Sequence, residues 1–342
     1  MNFFIIKYIS DELRRLYILF KKIIGLTSVG VITSYFYAKV KEKRSYKSFL
    51  YEATIRATQM KKPFESVENA RKMLKVVMRD TEGPHKGTDY SFRNDVRTTT
   101  IQNATTYIVN DKADSQQRVV LYLHGGAWVQ DPIKKHFEYI DILADELDAK
   151  VIMPVYPKVP HATYKETFGL LTEIYINIIA QVEHPQQVII MGDSAGGQIA
   201  LSFAQYIKTL ELEQPSHIVL ISPVLDVTLS NPEAPAYEKI DPMLAIKGTQ
   251  CFIELWTGDT PLTDWRVSPI NGSLDGLGHI TISIGTKETL YPDAVKLSNL
   301  LNEKNIEHDF LPGYNLFHIH PIFPIPERRQ FLEQLKQIIN NH

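Results

Sequence analysis

The chain of 342 residues has a single cysteine, Cys251, so it has no intrachain disulfide framework and no CxxC metal or redox motif. It also lacks a basic excess: 37 Lys and Arg face 39 Asp and Glu, a net charge of −2. That balance argues against nucleic acid as the main partner, because no surplus cation is present to neutralise phosphates. No internal repeat or low-complexity tract occurs, and 44% apolar with 22% charged residues is the composition of an ordinary globular protein. The length suggests one large domain with an appendage. Cys251, beside Phe252 and Ile253, reads as core.

Charge is unevenly spread. Residues 1–50 carry a net +7 and the remainder −9. The same basic stretch contains sixteen residues without a charge, from Ile23 to Ala38, between Lys21-Lys22 and Lys39. Sixteen falls short of the ~20 needed to span a bilayer. No small-residue cleavage site follows, so a removed signal peptide is not expected. Upstream, Ile5, Ile9, Leu13, Leu16, Phe20 and Ile24 recur every three or four residues, an amphipathic helix with basic edges. Two readings stand: residues 1–44 contact a membrane surface, making the protein membrane-associated and otherwise cytoplasmic, or they pack as a helical cap. Under the first, a chain beginning near Ser45 is expected to fold and keep part of its activity.

Residues 45–95 read as further helices and a polar link through Glu82-Gly-Pro-His-Lys-Gly87. From about Val96 strands alternate with helices. Strands are expected at 118–123, 151–156, 188–191, 217–221, 280–284 and about 309–311. Helices are expected at 137–147, 164–182, 198–210 and 327–339. Short apolar strands separated by helices predict an α/β fold, a mostly parallel sheet covered on both faces.

The chemistry sits at the strand ends. Gly192-Asp-Ser-Ala-Gly196 is a G-x-S-x-G between a strand and a helix, the strand–turn–helix context of a nucleophile elbow. Glycines are needed there because a side chain at Gly192 or Gly196 would meet the neighbouring strand or helix. His124-Gly-Gly-Ala-Trp128 follows strand 118–123. Its glycines can turn backbone N–H groups towards a developing oxyanion, so Gly125 and Gly126, with Ala195 after the nucleophile, are the expected oxyanion donors. His124 reads as a structural histidine. A serine nucleophile needs a base, and the base needs an orienting acid. After strand 280–284 stands Glu288 in the loop proper, favoured over Asp293 at the next helix start and over Asp226. The base is His318, favoured over His320, which precedes a proline. No H-E-x-x-H or third ligand accompanies His318 and His320, so a metal pair is disfavoured.

These motifs together resemble the hormone-sensitive-lipase-like branch of the α/β hydrolases, a branch of carboxylesterases and lipases, over residues 95–342. The resemblance implies Ser194 as nucleophile, His318 as base and Glu288 as acid, with no cofactor. Two departures are visible: Ala127 where a third glycine is usual, and Glu288 where Asp is commoner. It also implies a cap built from residues 1–95 and an insertion around 226–278, of which Asn231–Asp264 is the aromatic, proline-rich part. Tyr237, Phe252 and Trp256 are then expected to roof a pocket for short acyl chains. A lipase, an arylformamidase-type amidase and a non-catalytic receptor are the rival activities; His318 argues against the last.

Overall fold

Strands such as Val119–Leu123 are apolar at every position because both faces are covered. Odd positions Val119, Leu121 and Leu123 enter one core, and Val120 and Tyr122 enter the other. The structure, a computed structural model, describes residues 30–341. Eight strands form one sheet: β1 (Val96–Ile101), β2 (Ala104–Val109), β3 (Arg118–Leu123), β4 (Ala149–Pro154), β5 (Val188–Asp193), β6 (His217–Ile221), β7 (His279–Gly285) and β8 (His308–Gly313). Their order is β1-β2-β4-β3-β5-β6-β7-β8. The pairs β1–β2 and β2–β4 are antiparallel and all others parallel.

The expected α/β architecture is therefore present, with a β1–β2 hairpin added at one edge. Its turn is carried by Gln102 and Asn103, both with positive φ (44° and 65°), which suits a two-residue connection.

After a helical stretch over residues 30–41, nine α-helices follow in the described chain: α1 (Tyr46–Ala57), α2 (Val67–Asp80), α3 (Lys134–Leu147), α4 (Tyr164–Ile179), α5 (Ala195–Thr209), α6 (Ala234–Glu238), α7 (Ile246–Thr257), α8 (Tyr291–Glu303) and α9 (Pro326–Asn341). Helices α4, α5 and α8 bury Leu171, Ile199 and Leu297 against one sheet face. Helices α3 and α9 bury Phe137, Leu143, Phe331 and Leu335 against the other. Each such side chain contributes about 1.5–3 kcal/mol on burial.

Above the strand ends, α2 packs on α7. Phe64, just before α2, meets Phe252 edge to face at 5.7 Å. Gly248 makes this approach possible, since a Cβ there would stand 2.5 Å from the Phe64 backbone. Serine caps start α1 and α2: Ser45 Oγ accepts from Ser48 N–H (3.0 Å) and Ser66 Oγ from Asn69 N–H (3.2 Å). The amphipathic repeat from Ile5 to Ile24 lies outside the described residues. Among the described residues, no helix is long and apolar enough to cross a membrane.

Candidate active site

The order β4-β3-β5 places successive crossovers on opposite sides of β3. Ligands of open α/β sheets bind at such a switch point, beyond the carboxyl ends of the strands. The His124–Trp128 loop leaves β3 there and Ser194 leaves β5.

Ser194 takes φ 53°, ψ −118°, a strained backbone for a non-glycine residue. Its N–H donates to Ile221 O at 2.8 Å, which pins the turn to β6. The glycines serve the close approach expected of them. A Cβ on Gly192 would stand 2.2 Å from Gly196 O, and one on Gly196 would stand 1.9 Å from Leu123 O.

The structure brings Ser194, His318 and Glu288 together, although 124 and 30 residues separate them. His318 Nε2 lies 2.9 Å from Ser194 Oγ, and His318 Nδ1 lies 2.5 Å from Glu288 Oε2. With Nδ1–H donated to the carboxylate, Nε2 is left to accept the serine hydroxyl proton. Burial alone would lower the His318 pKa, but the Glu288 charge and hydrogen bond more than offset it, leaving the ring above its ordinary value. Burial raises the Glu288 carboxyl, with His318 pulling the other way.

The second oxygen of Glu288 is fixed separately. Gly285 N–H and Ser222 Oγ–H both donate to Oε1, at 2.6 and 2.8 Å. Ser222 Oγ also accepts from Ile319 N–H (2.9 Å), so one hydroxyl joins the acid loop to the residue after the base. The competing groups are engaged elsewhere. Asp293 accepts from Asn231 Nδ2 (2.8 Å), and Asp226 from Thr228 N–H and Oγ–H. His320 packs against Gly313, and burial drops its pKa to about 3.

On the other side of Ser194 the structure departs from expectation. Gly125 N–H donates to Asp193 Oδ1 at 3.0 Å, so the first of the expected oxyanion donors is already committed to a buried carboxylate. Gly126 and Ala127 N–H donate to no protein acceptor among the described residues, and Ala195 N–H begins a helix and lacks an intrahelical partner. Gly126, Ala127 and Trp128 all have positive φ (126°, 52° and 61°), which turns this stretch sharply over the elbow.

Asp193 also accepts from Tyr122 Oη–H (2.7 Å) and His136 Nε2–H (3.3 Å). Ile133 N–H donates to His136 Nδ1 (3.0 Å), which fixes that tautomer. Burial opposes the Asp193 charge, yet His136, Tyr122 and Gly125 hold its carboxyl below the usual range. His124, as expected, is structural: it is buried, stacks on Tyr156 at 4.4 Å, and donates from Nδ1 to Gly125 O (2.7 Å).

A small, largely apolar cavity opens onto Ser194. Its walls are Ala127, Trp128, Val224, Leu229 and Leu290, and its roof is Phe64 with Leu244, Ala245, Ile246 and Thr249. The expected roof of Tyr237, Phe252 and Trp256 is not what lines it. Phe252 and Trp256 are fully buried on the inward face of α7, where Trp256 Nε1–H, like Trp128 Nε1–H, donates to Gln198 Oε1 (3.1 and 2.9 Å). Tyr237 pairs with Tyr291. Asp241 fixes the true roof, accepting from Met243 and Leu244 N–H through Oδ1 and from Thr289 N–H and Oγ–H through Oδ2.

A serine, a histidine and a buried carboxylate on the carboxyl ends of parallel strands, beside free backbone donors, define an α/β hydrolase. The family model described as alpha/beta hydrolase fold matches residues 120–320, and the chain belongs to that family, in its hormone-sensitive-lipase-like branch. It is a carboxylic ester hydrolase. An esterase of Acinetobacter venetianus is 28% identical over 226 residues, 65% of this chain and 75% of the relative. A triacylglycerol lipase of Mycobacterium tuberculosis is 31% identical over 183 residues, 53% of this chain and 37% of the relative. The crystal structure of a candidate esterase from Staphylococcus aureus superposes with a TM-score of 0.77 at 26% identity, covering 82% of this chain and 95% of that one. An esterase of the bacterial hormone-sensitive lipase family shares the fold (TM-score 0.74, 18% identity, 87% and 98% covered).

Ser222, Asp193, Asp241 and Gln198 escaped the sequence reading. The available signal was a polar residue abutting an apolar strand or helix face, at the end of β6, the end of β5 and the second turn of α5.

Proposed function

We propose that the protein hydrolyses short- to medium-chain acyl esters through a Ser194–His318–Glu288 triad and an acyl-enzyme. The observation that carries this reading is the unbroken chain Ser194 Oγ–His318 Nε2, His318 Nδ1–Glu288, at the floor of an apolar cavity. His318 takes the Ser194 proton as Oγ attacks the ester carbonyl. The oxyanion is received by the N–H groups of Gly126, Ala127 and Ala195, with Gly125 reassigned to holding the loop. Imidazolium then protonates the departing alcohol, and water, activated by His318, releases the acid.

Chain length follows from the cavity. Phe64, Ala127, Trp128, Leu229 and Leu244 crowd the space over Ser194 and leave little room for an acyl group. Ala127 adds a methyl to its wall. Each methylene beyond the room available forfeits about 0.8 kcal/mol of burial or strains the roof. We expect kcat/KM to peak between about C2 and C8 on a p-nitrophenyl ester series from acetyl to palmitoyl, with an aryl formamide included. A peak at palmitoyl would favour a lipase, and a faster formamide an amidase; either overturns the proposed substrate class.

A second reading concerns where the enzyme works. Between residues 30 and 43, Val31, Ile32, Tyr35, Phe36 and Val40 are exposed beside exposed Lys39, Lys41 and Lys43. Apolar and aromatic side chains interleaved with cations suit the headgroup region of an anionic bilayer, each cation contributing up to ~1 kcal/mol. Co-sedimentation with phosphatidylserine vesicles at low salt is the expected result, and protein left in the supernatant would remove this reading.

A further inference from the structure

A second group of buried charges lies behind the triad. Arg44 Nη2 and Nε bind Glu42 Oε2 at 2.6 and 2.7 Å, and Arg44 Nη1 binds Glu52 Oε2 at 2.7 Å. Lys287 Nζ contacts Glu42 Oε1 and lies 3.3 Å from Glu52 Oε2. The four side chains are between 2% and 15% exposed. Arg56 Nη2 and Nε bind Glu52 Oε1 from the solvent side at 2.8 and 3.0 Å, so two carboxylates meet three cations in a nearly dry cluster. Its partners come from three stretches: the approach to α1, α1 itself, and the acid loop, where Lys287 immediately precedes Glu288.

The base loop is joined to the same point. Asn315 Nδ2–H donates to Glu42 O (2.9 Å), and Asn315 N–H donates to Thr286 Oγ1 (2.8 Å). Lys287 N–H donates to Leu316 O and Thr286 N–H to Gly313 O, both at 3.0 Å. Beyond the cluster, Ser45 N–H and Oγ–H donate to Glu327 at the head of α9 (2.6 and 2.8 Å). Residues 42–52 thus touch both loops that meet at the Glu288–His318 bond. The sequence boundary at residue 44 runs through this cluster, so a chain beginning at Ser45 loses Glu42 and Arg44.

We propose that Glu42 is a positioning residue for the ester hydrolysis, acting through its carboxylate and Lys287 on the acid loop and through its main-chain carbonyl and Asn315 on the base loop to keep Glu288 and His318 in register. The inference rests on the proposed triad. Removing Glu42 leaves Lys287 with only its longer contact to Glu52 (3.3 Å), an oxygen it shares with Arg44, and a cation so weakly paired in a dry site moves towards water. Here the moving charge would be Lys287, next to Glu288. Displacements near 1 Å in such a constellation can cost about a hundredfold in rate.

The test uses the full chain and p-nitrophenyl acetate, at a temperature well below each variant's Tm. Glu42→Gln and Lys287→Met should each lower kcat by roughly tenfold or more with KM within about twofold, and slow fluorophosphonate labelling by the same factor. Lys287→Arg should restore most of the loss. Asn315→Gly keeps the left-handed backbone (φ 58°) while deleting the amide, and should lower kcat by a factor of about 3. It carries the test alone should the other variants fail to fold. Variants that melt earlier but keep kcat within about twofold of the parent, Asn315→Gly included, would reduce the cluster to a stability staple and overturn the proposal. Ser194→Ala is run alongside. Activity surviving there overturns the triad itself, whereas activity lost there and retained in Glu42→Gln overturns the positioning role alone.

Discussion

The two sides of Ser194 are built from different materials. On the base side, the geometry rests on ionisable side chains, Glu288 and His318, braced by Ser222 and backed by the Glu42–Arg44–Lys287 cluster. On the oxyanion side it rests on main-chain N–H groups, in a loop held by one buried carboxylate, Asp193. A single proton can switch the first side off. The second has a fixed dipole and answers to backbone placement, and its one charge is stabilised by three donors. The contrast teaches that pH should report on one wall of the site and loop anchoring on the other.

Glu288→Gln should break the first wall most severely. Loss of the orienting carboxylate is expected to lower kcat by roughly 10³-fold or more, as in other serine triads. The sign of the pH effect follows from the charge. Activity needs neutral His318, whose pKa Glu288 raises, so the acid limb of kcat/KM lies above the ordinary histidine range in the parent and should move to lower pH in Glu288→Gln. A limb that stays put or rises would contradict the coupling.

Asp193→Asn sharpens the comparison from the other wall. Deleting an oxyanion donor outright costs about 10²–10³ in other hydrolases, and loosening the loop should cost less, about 10–100-fold. The acid limb should move far less than in Glu288→Gln, because the His318–Glu288 bond is untouched. A pH shift as large as that of Glu288→Gln would mean that the two walls are not separable. The smallest effect is expected from Asp293→Asn, within about twofold in kcat, since Asp293 is bonded to Asn231 and has no part in the wall.

What could be read from the sequence follows the same division. The elbow was legible because its demands are local: Gly192, Ser194 and Gly196 occupy one sharp turn whose packing tolerates no side chains at the glycines. Strands β3 and β6 were legible at their true limits, because an apolar run bounded by polar residues has a single reading in a covered sheet. Glu288 was preferred to Asp293 for its place in the loop before the helix, and it is the carboxylate that meets His318. The Gly125 N–H was misassigned because the acceptor that claims it, Asp193, is 68 residues away and leaves no periodic trace. The pocket roof failed for a related reason. Phe252 and Trp256 form the inward stripe of α7, and that stripe packs on the core and Gln198 while the preceding turn, Leu244–Ile246, meets the cavity. Strand β1 is threonine-rich and largely exposed, a weaker pattern than the buried strands.

The central claim is that Ser194 is the nucleophile, and the most direct measurement is covalent capture. Full-length protein treated with a fluorophosphonate probe should carry one adduct, located by peptide mass spectrometry on Ser194, with ester hydrolysis lost in step with labelling. In Ser194→Ala both labelling and hydrolysis should disappear. An adduct on another residue, or hydrolysis that persists in Ser194→Ala, would contradict the account.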